Sequence, residues 1–94
     1  MAGSFRVLTT PAFEREFRAI SRKDSKLVRA LEELIEILGN DPHNRSGQHQ
    51  IKKLAGLERG EGQWRLRWRH YRLRYDIFAR EVVLHSFRHR KDAY

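Results

Sequence analysis

The 94-residue chain has no cysteine, and its five histidines do not fall into a zinc-ligand spacing with the acids, which leaves no basis for disulfides, thiolate metal sites or a cofactor. Its length suits one domain over residues 1–94, with one core under one sheet. No run approaches the ~18 apolar residues of a membrane span, and Met1-Ala2-Gly3-Ser4 lacks a signal-peptide core, so a cytoplasmic protein without membrane contact is expected. The net charge of +8 is one-sided: residues 1–50 carry 8 Lys/Arg against 7 Asp/Glu, residues 51–94 carry 12 against 5. Clustered cations repel one another unless a polyanion offsets the cost, so the second half points to nucleic acid.

Along the chain, Phe5 to Thr9 reads as a short strand, and Thr10-Pro11 as the cap and first residue of a helix. Phe13, Phe17 and Ile20 give that helix one apolar face, and Glu14 and Arg18 stand at a favourable i,i+4 spacing. After a break at residues 21–24, a longer helix begins near Ser25. It turns Leu27, Leu31, Leu34, Ile35 and Leu38 inward and stops at Gly39 and Pro42. The stretch from Asn40 to Gln50 is a polar loop. From Ile51 the period falls from 3.6 to 2.

Trp64, Leu66 and Trp68 alternate with Arg65, Arg67 and Arg69; Tyr71, Leu73, Tyr75 and Ile77 alternate with Arg72, Arg74 and Asp76. Tight reversals are required at Arg69-His70 and Ala79-Arg80, and Val82 to Arg88 makes a further strand. Gly56 to Gly62, with three glycines, reads as the most mobile internal segment. The pattern predicts an α+β fold of order β-α-α-β-β-β: an antiparallel sheet with an N-terminal helical hairpin on one face and arginines on the other.

Five arginines on two neighbouring strands about 4.8 Å apart make a compact cluster suited to phosphate. Arginine keeps its proton, so these residues bind and stabilise charge. Proton transfer needs His70, His85, His89 or Tyr94. Trp64 and Trp68 read as packing residues, His85 as structural or solvent-facing and His70 as a turn residue, whereas the tail from Arg88 reads as functional.

Four segments in order, Ile51-Lys52-Lys53-Leu54-Ala55-Gly56-Leu57, Trp64-Arg65-Leu66-Arg67-Trp68, Tyr71-Arg72-Leu73-Arg74-Tyr75 and His89-Arg90-Lys91-Asp92-Ala93-Tyr94, resemble the RelE/ParE superfamily of bacterial and archaeal toxins. The resemblance implies the toxin of a type II toxin–antitoxin system, a ribosome-dependent endoribonuclease that needs no metal. The RNA's own 2′-OH would attack the adjacent phosphate, cutting mRNA in the ribosomal A site and inhibiting translation. Carried over by motif, the catalytic set is Arg65, Arg67, Arg72, His89, Arg90 and Tyr94. Lys52, Lys53, Arg69, Arg74 and Arg88 would hold RNA, with Arg65 and Arg67 also gripping phosphates.

Arg69-His70 replaces the family's usual Gly-Asp turn, and arginine at position 65 leaves open whether an acid or base role survives there. The partners implied are ribosome, mRNA and a cognate antitoxin with an acidic segment, through which the complex would bind operator DNA. The rival readings are a ParE-type inhibitor of DNA gyrase on the same fold and a non-catalytic nucleic-acid-binding module.

Overall fold

The computed structural model describes residues 4–92, so Tyr94 lies outside the described residues. Among those described, the elements are β1 (Arg6–Leu8), α1 (Pro11–Ser21), α2 (Lys26–Asn40), β2 (Ile51–Lys53), β3 (Trp64–Trp68), β4 (Tyr71–Phe78) and β5 (Glu81–His89). The Thr10 hydroxyl accepts from the Phe13 N–H at 3.1 Å, fixing the start of α1 one residue before Pro11. Glu14 turns back to accept from the Thr9 hydroxyl instead of pairing with Arg18. At α2 the capping oxygen comes from Asp24, which accepts from the Lys26 N–H at 3.1 Å, and not from Ser25.

The five strands form one sheet in the order β1-β5-β4-β3-β2. β2 to β5 run antiparallel, while β1 pairs parallel with the start of β5, so the sheet is mixed. β1 and β2 occupy opposite edges, and the helical hairpin carries the chain between them. Leu27, Leu34 and Leu38 of α2 and Phe13 of α1 bury against Leu66, Leu73, Tyr75, Ile77, Val82, Leu84 and Phe87. The Tyr75 hydroxyl donates to the Pro42 carbonyl at 2.7 Å, tying the exit of α2 to the central strand. Trp64 and Trp68 pack at the edge of this core, Trp64 stacked on Tyr75 at 6.4 Å.

Both short hairpins have two-residue turns, Arg69-His70 and Ala79-Arg80, and each begins on a residue in the left-handed region, Arg69 at φ 52° and Ala79 at φ 53°. The β4–β5 ladder has one irregularity. Arg74 faces Ser86 and Tyr75 faces Leu84, which leaves His85 as the extra residue of a β-bulge.

The segment from Leu54 to Gln63 connects β2 to β3. Gly56, Gly60 and Gly62 all sit at positive φ, so its glycines serve backbone geometry. It is stitched down by hydrogen bonds from Leu54 N–H to the Gln63 carbonyl at 2.7 Å and from the Gln63 amide to the Leu57 carbonyl at 2.9 Å. The expectation of a loose segment gives way to a folded loop.

Candidate nucleic-acid interface

Register places the cations of the outer face in two rows. Lys52, Arg65 and Arg74 are in-register partners across β2, β3 and β4, and Arg67, Arg72 and Arg88 across β3, β4 and β5. Because partners in a ladder share a face and successive residues alternate, all six leave the sheet on the side opposite the helices. A cleft of about 440 Å³ opens there, lined by Lys52, Lys53, Leu54, Ala55, Leu57, Arg65, Arg72 and Arg74.

Arg72 is the centre of the cleft. Its side chain is 8% exposed although it belongs to the outer face of the sheet. One terminal nitrogen donates to the Tyr71 carbonyl at 3.2 Å, and its Nε is buried with no hydrogen-bond partner. A buried guanidinium donor without an acceptor costs about 1–3 kcal/mol. Arg67, its register partner, is exposed, so the row offers one desolvated cation beside one hydrated cation.

The remaining sequence-derived site residues do not all meet there. Lys53 lines the cleft at its rim, but it pairs in register with Trp64 and holds its ammonium 5.7 Å from the Trp64 ring. Arg69 turns its guanidinium over Trp68 at 5.1 Å and lines a groove with Lys26, Arg29 and Glu33 of α2, on the helix side. Arg74 points into the cleft but is engaged: Nε donates to the Gly62 carbonyl at 3.0 Å and a terminal nitrogen to the Glu61 carbonyl. Arg88 reaches round the sheet edge to Glu16 of α1, Nε to carboxylate at 3.0 Å. The other Glu16 oxygen accepts from the Phe87 N–H at 2.9 Å, capping the part of β5 that β1 leaves uncovered.

His89 pairs in register with Tyr71 and packs edge-on to its ring at 5.3 Å, and Tyr71 in turn stacks on the buried Phe87 at 5.1 Å. It therefore lies on the helix side, in a groove with Glu16, Ile20, Lys23 and Asp92. The His85 bulge is responsible. In a regular strand starting with Val82 inward, Phe87 and His89 would face outward with the arginines, and the extra residue reverses them. The signal was present in the sequence: Leu84 and Phe87, two large apolar residues three apart, cannot share one face of an unbroken strand. Arg90 follows the end of β5, exposed, its N–H donating to the His70 carbonyl at 2.7 Å.

Two residues missed by sequence reasoning shape the site. Asp76, 2% exposed, accepts from the Gly62 N–H through both oxygens at 3.0 and 3.1 Å and from the Gln63 N–H at 2.9 Å. Glu16 withdraws Arg88 from the row. Among the described residues, no three His, Asp or Glu side chains gather to hold a metal, and no helix is long and apolar enough to cross a membrane.

The family model for the ParE toxin of type II toxin–antitoxin systems matches residues 7–94. The fold is similar to a chain of the RelB–RelE antitoxin–toxin complex from Methanococcus jannaschii, with a TM-score of 0.71 at 18% identity, over 93% of this chain and 94% of that one. No curated protein sequence matches the chain.

Proposed function

The chain belongs to the ParE toxin family of type II toxin–antitoxin systems, and we propose that it arrests translation as a metal-independent endoribonuclease acting on mRNA in the ribosomal A site. The observation that carries this reading is the unpaired, buried Nε of Arg72 in a cleft with Lys52 and Arg65. A phosphodiester in the cleft is met by the terminal nitrogens of this guanidinium, and it would reach the enclosed Nε only if the cleft opens around that atom. As the 2′-OH attacks phosphorus and the P–O5′ bond breaks, negative charge accumulates on the phosphoryl oxygens, where a donor already stripped of water interacts most strongly. The products are a 2′,3′-cyclic phosphate and a free 5′-OH.

A base must take the 2′-OH proton and an acid must give one to O5′. The cleft's arginines do neither at neutral pH. With His89 facing the helices, those roles fall to Tyr94 and to Lys52, while Arg90 stands at the start of the tail that carries Tyr94. Arg67, exposed beside Arg72, holds a neighbouring backbone phosphate. A cognate antitoxin with an acidic segment complements the outer face, keeps the toxin silent and links the complex to operator DNA.

Toeprinting of a translating mRNA with purified protein tests the reading, wild type beside Arg72→Ala and Tyr94→Phe, with and without ribosomes. Cleavage within the A-site codon that both substitutions strongly reduce supports it; no cleavage by the wild type sinks it. The placement of His89 away from the arginines favours one second reading, a toxin that binds without cutting, such as an inhibitor of DNA gyrase. In that case a gyrase supercoiling assay responds to the protein and the toeprint does not.

A further inference from the structure

Arg67 and Arg72 stand opposite each other in register on the same face of the sheet, yet one is exposed and the other is 8% exposed. Position in the sheet supplies part of the difference, since Arg72 is on the central strand with a partner on each side and Arg67 lies beyond the last β2–β3 pair, Ile51 with Leu66. Arg72's neighbours in the row are Arg67, which extends into water, and Arg88, which reaches away to Glu16. Arg72, and not Arg67, also lines the cleft whose other wall is the β2–β3 loop, through Leu54, Ala55 and Leu57. This loop is folded onto β4 by two clamps two residues apart. Asp76 accepts three hydrogen bonds from the backbone N–H groups of Gly62 and Gln63, and Arg74 donates to the carbonyls of Glu61 and Gly62. The Gly62 peptide is thus gripped from both ends. A side chain at position 62 would meet Arg74 Nε at 3.0 Å and the His85 ring at 3.1 Å, so glycine is needed for the close approach as well as for its φ of 75°.

We propose that Asp76, assisted by Arg74, is a positioning residue for the cleft: it pins the β2–β3 loop over the outer face and so keeps Arg72 desolvated and aimed at the bound phosphate. The carboxylate touches neither the cleft's ligand nor Arg72; it acts through the loop. A charge-assisted acceptor for two N–H groups holds the apolar wall in place where an uncharged surface loop would open to water. The inference rests on the reading of the cleft as an anion site but not on the cleavage chemistry.

The test follows the Arg72 Nε–H directly, by nitrogen-15 NMR of the full-length protein, for wild type, Asp76→Asn, Asp76→Ala and Arg74→Ala. Two quantities are read: hydrogen exchange of that N–H, and its response to inorganic phosphate. Asp76→Ala is expected to speed the exchange and weaken phosphate affinity by about tenfold each. Asp76→Asn, which keeps one acceptor oxygen, falls between it and wild type, and Arg74→Ala resembles Asp76→Ala.

The amide of Leu34 in α2, remote from the loop, keeps its wild-type exchange rate in all variants. Arg72 exchange and phosphate affinity unchanged by every substitution would overturn the proposal. So would a common acceleration of Leu34 and Arg72, since it would mean that Asp76 supports the whole fold and not the loop. Wild type that ignores phosphate refutes the anion reading, while the exchange data still decide whether Asp76 pins the loop.

Discussion

Replacing Arg72 by methionine is expected to make the protein more stable and, in the same step, unable to hold an anion. The unpaired Nε costs about 1–3 kcal/mol in the free protein. The single hydrogen bond that the guanidinium makes, to the Tyr71 carbonyl at 3.2 Å, returns about 1 kcal/mol. Methionine has similar reach and no polar atom to desolvate, so the balance favours the variant by about 1 kcal/mol. For a chain of this size that raises the melting midpoint by roughly 5 °C.

Removing a cation from the rows that contain Arg65, Arg67 and Arg74 adds a further gain that depends on salt, because the screening length falls from about 30 Å at 0.01 M to about 3 Å at 1 M. Thermal unfolding at both salt concentrations separates the two contributions: the gain is larger in low salt and persists in high salt. Phosphate at about 100 times its dissociation constant stabilises the wild type by about 2.7 kcal/mol and leaves the variant unmoved. A variant that melts below the wild type at both salt concentrations would refute the reasoning, because Arg72 would then be a structural residue and its burial no sign of a site.

Tyr75→Phe removes the hydroxyl that donates to Pro42 from a fully buried ring, leaving that carbonyl without its partner, and urea titration should register a loss of about 1–2 kcal/mol. Burial, with the charge of Asp41 adding to it, pushes the Tyr75 phenol well above its usual pKa, so this loss does not vary between pH 6 and 8. Ala79→Gly relieves a left-handed backbone at φ 53° and is expected to raise stability by up to about 1 kcal/mol in the same titration, without affecting phosphate binding.

For Asp41, partial burial raises the pKa, but hydrogen bonds from the Ser46 hydroxyl and the Arg45 and Ser46 N–H groups, with His49 nearby, outweigh it and bring the pKa below 3.8. A folded-state pKa below the unfolded one stabilises above the unfolded value and loses that contribution as pH falls through the folded value. The stability difference between wild type and Asp41→Asn should therefore shrink as the pH falls below 4.

Local signals carried the elements whose chemistry is local. Thr10-Pro11 starts a helix because a side-chain oxygen and a missing N–H suit that position, and the alternation through β3 and β4 holds because one face of each strand is buried. The α+β architecture with two helices on one face follows from these. Two features were illegible for a physical reason. The parallel pairing of β1 with β5 joins segments more than 70 residues apart, and a three-residue strand has no periodicity with which to announce its partner. β2, equally short, escaped the count of strands in the same way. At the site, residue type located the arginine rows, but the fate of each cation depends on what lies within its reach. Trp64 takes the Lys53 ammonium, Trp68 the Arg69 guanidinium, Glu16 takes Arg88 and the loop carbonyls take Arg74. Motif position does not record these partners.

The distribution of partners also explains why a surface so rich in arginine can have one focus. Six cations project from neighbouring positions of β2 to β5, and if all were equally hydrated the face would bind any polyanion diffusely, with a steep dependence on salt and little orientation. Instead, Arg74 and Arg88 are committed to the protein's own oxygens, while Arg67 remains in water. Arg72 is enclosed without an acceptor for Nε. The strength of an ionic hydrogen bond rises as water is excluded, so on the proposed reading the diffuse charge of Arg67 and Lys52 would draw in a phosphate chain and the desolvated charge of Arg72 would select where a single phosphate comes to rest. The loop on the other wall of the cleft is held by Asp76, an acidic residue in the most basic part of the sheet, and in the proposed arrangement the burial of that guanidinium depends on it. The carboxylate is engaged by backbone N–H groups, whereas an acid left free among these arginines would compete with a phosphate for them.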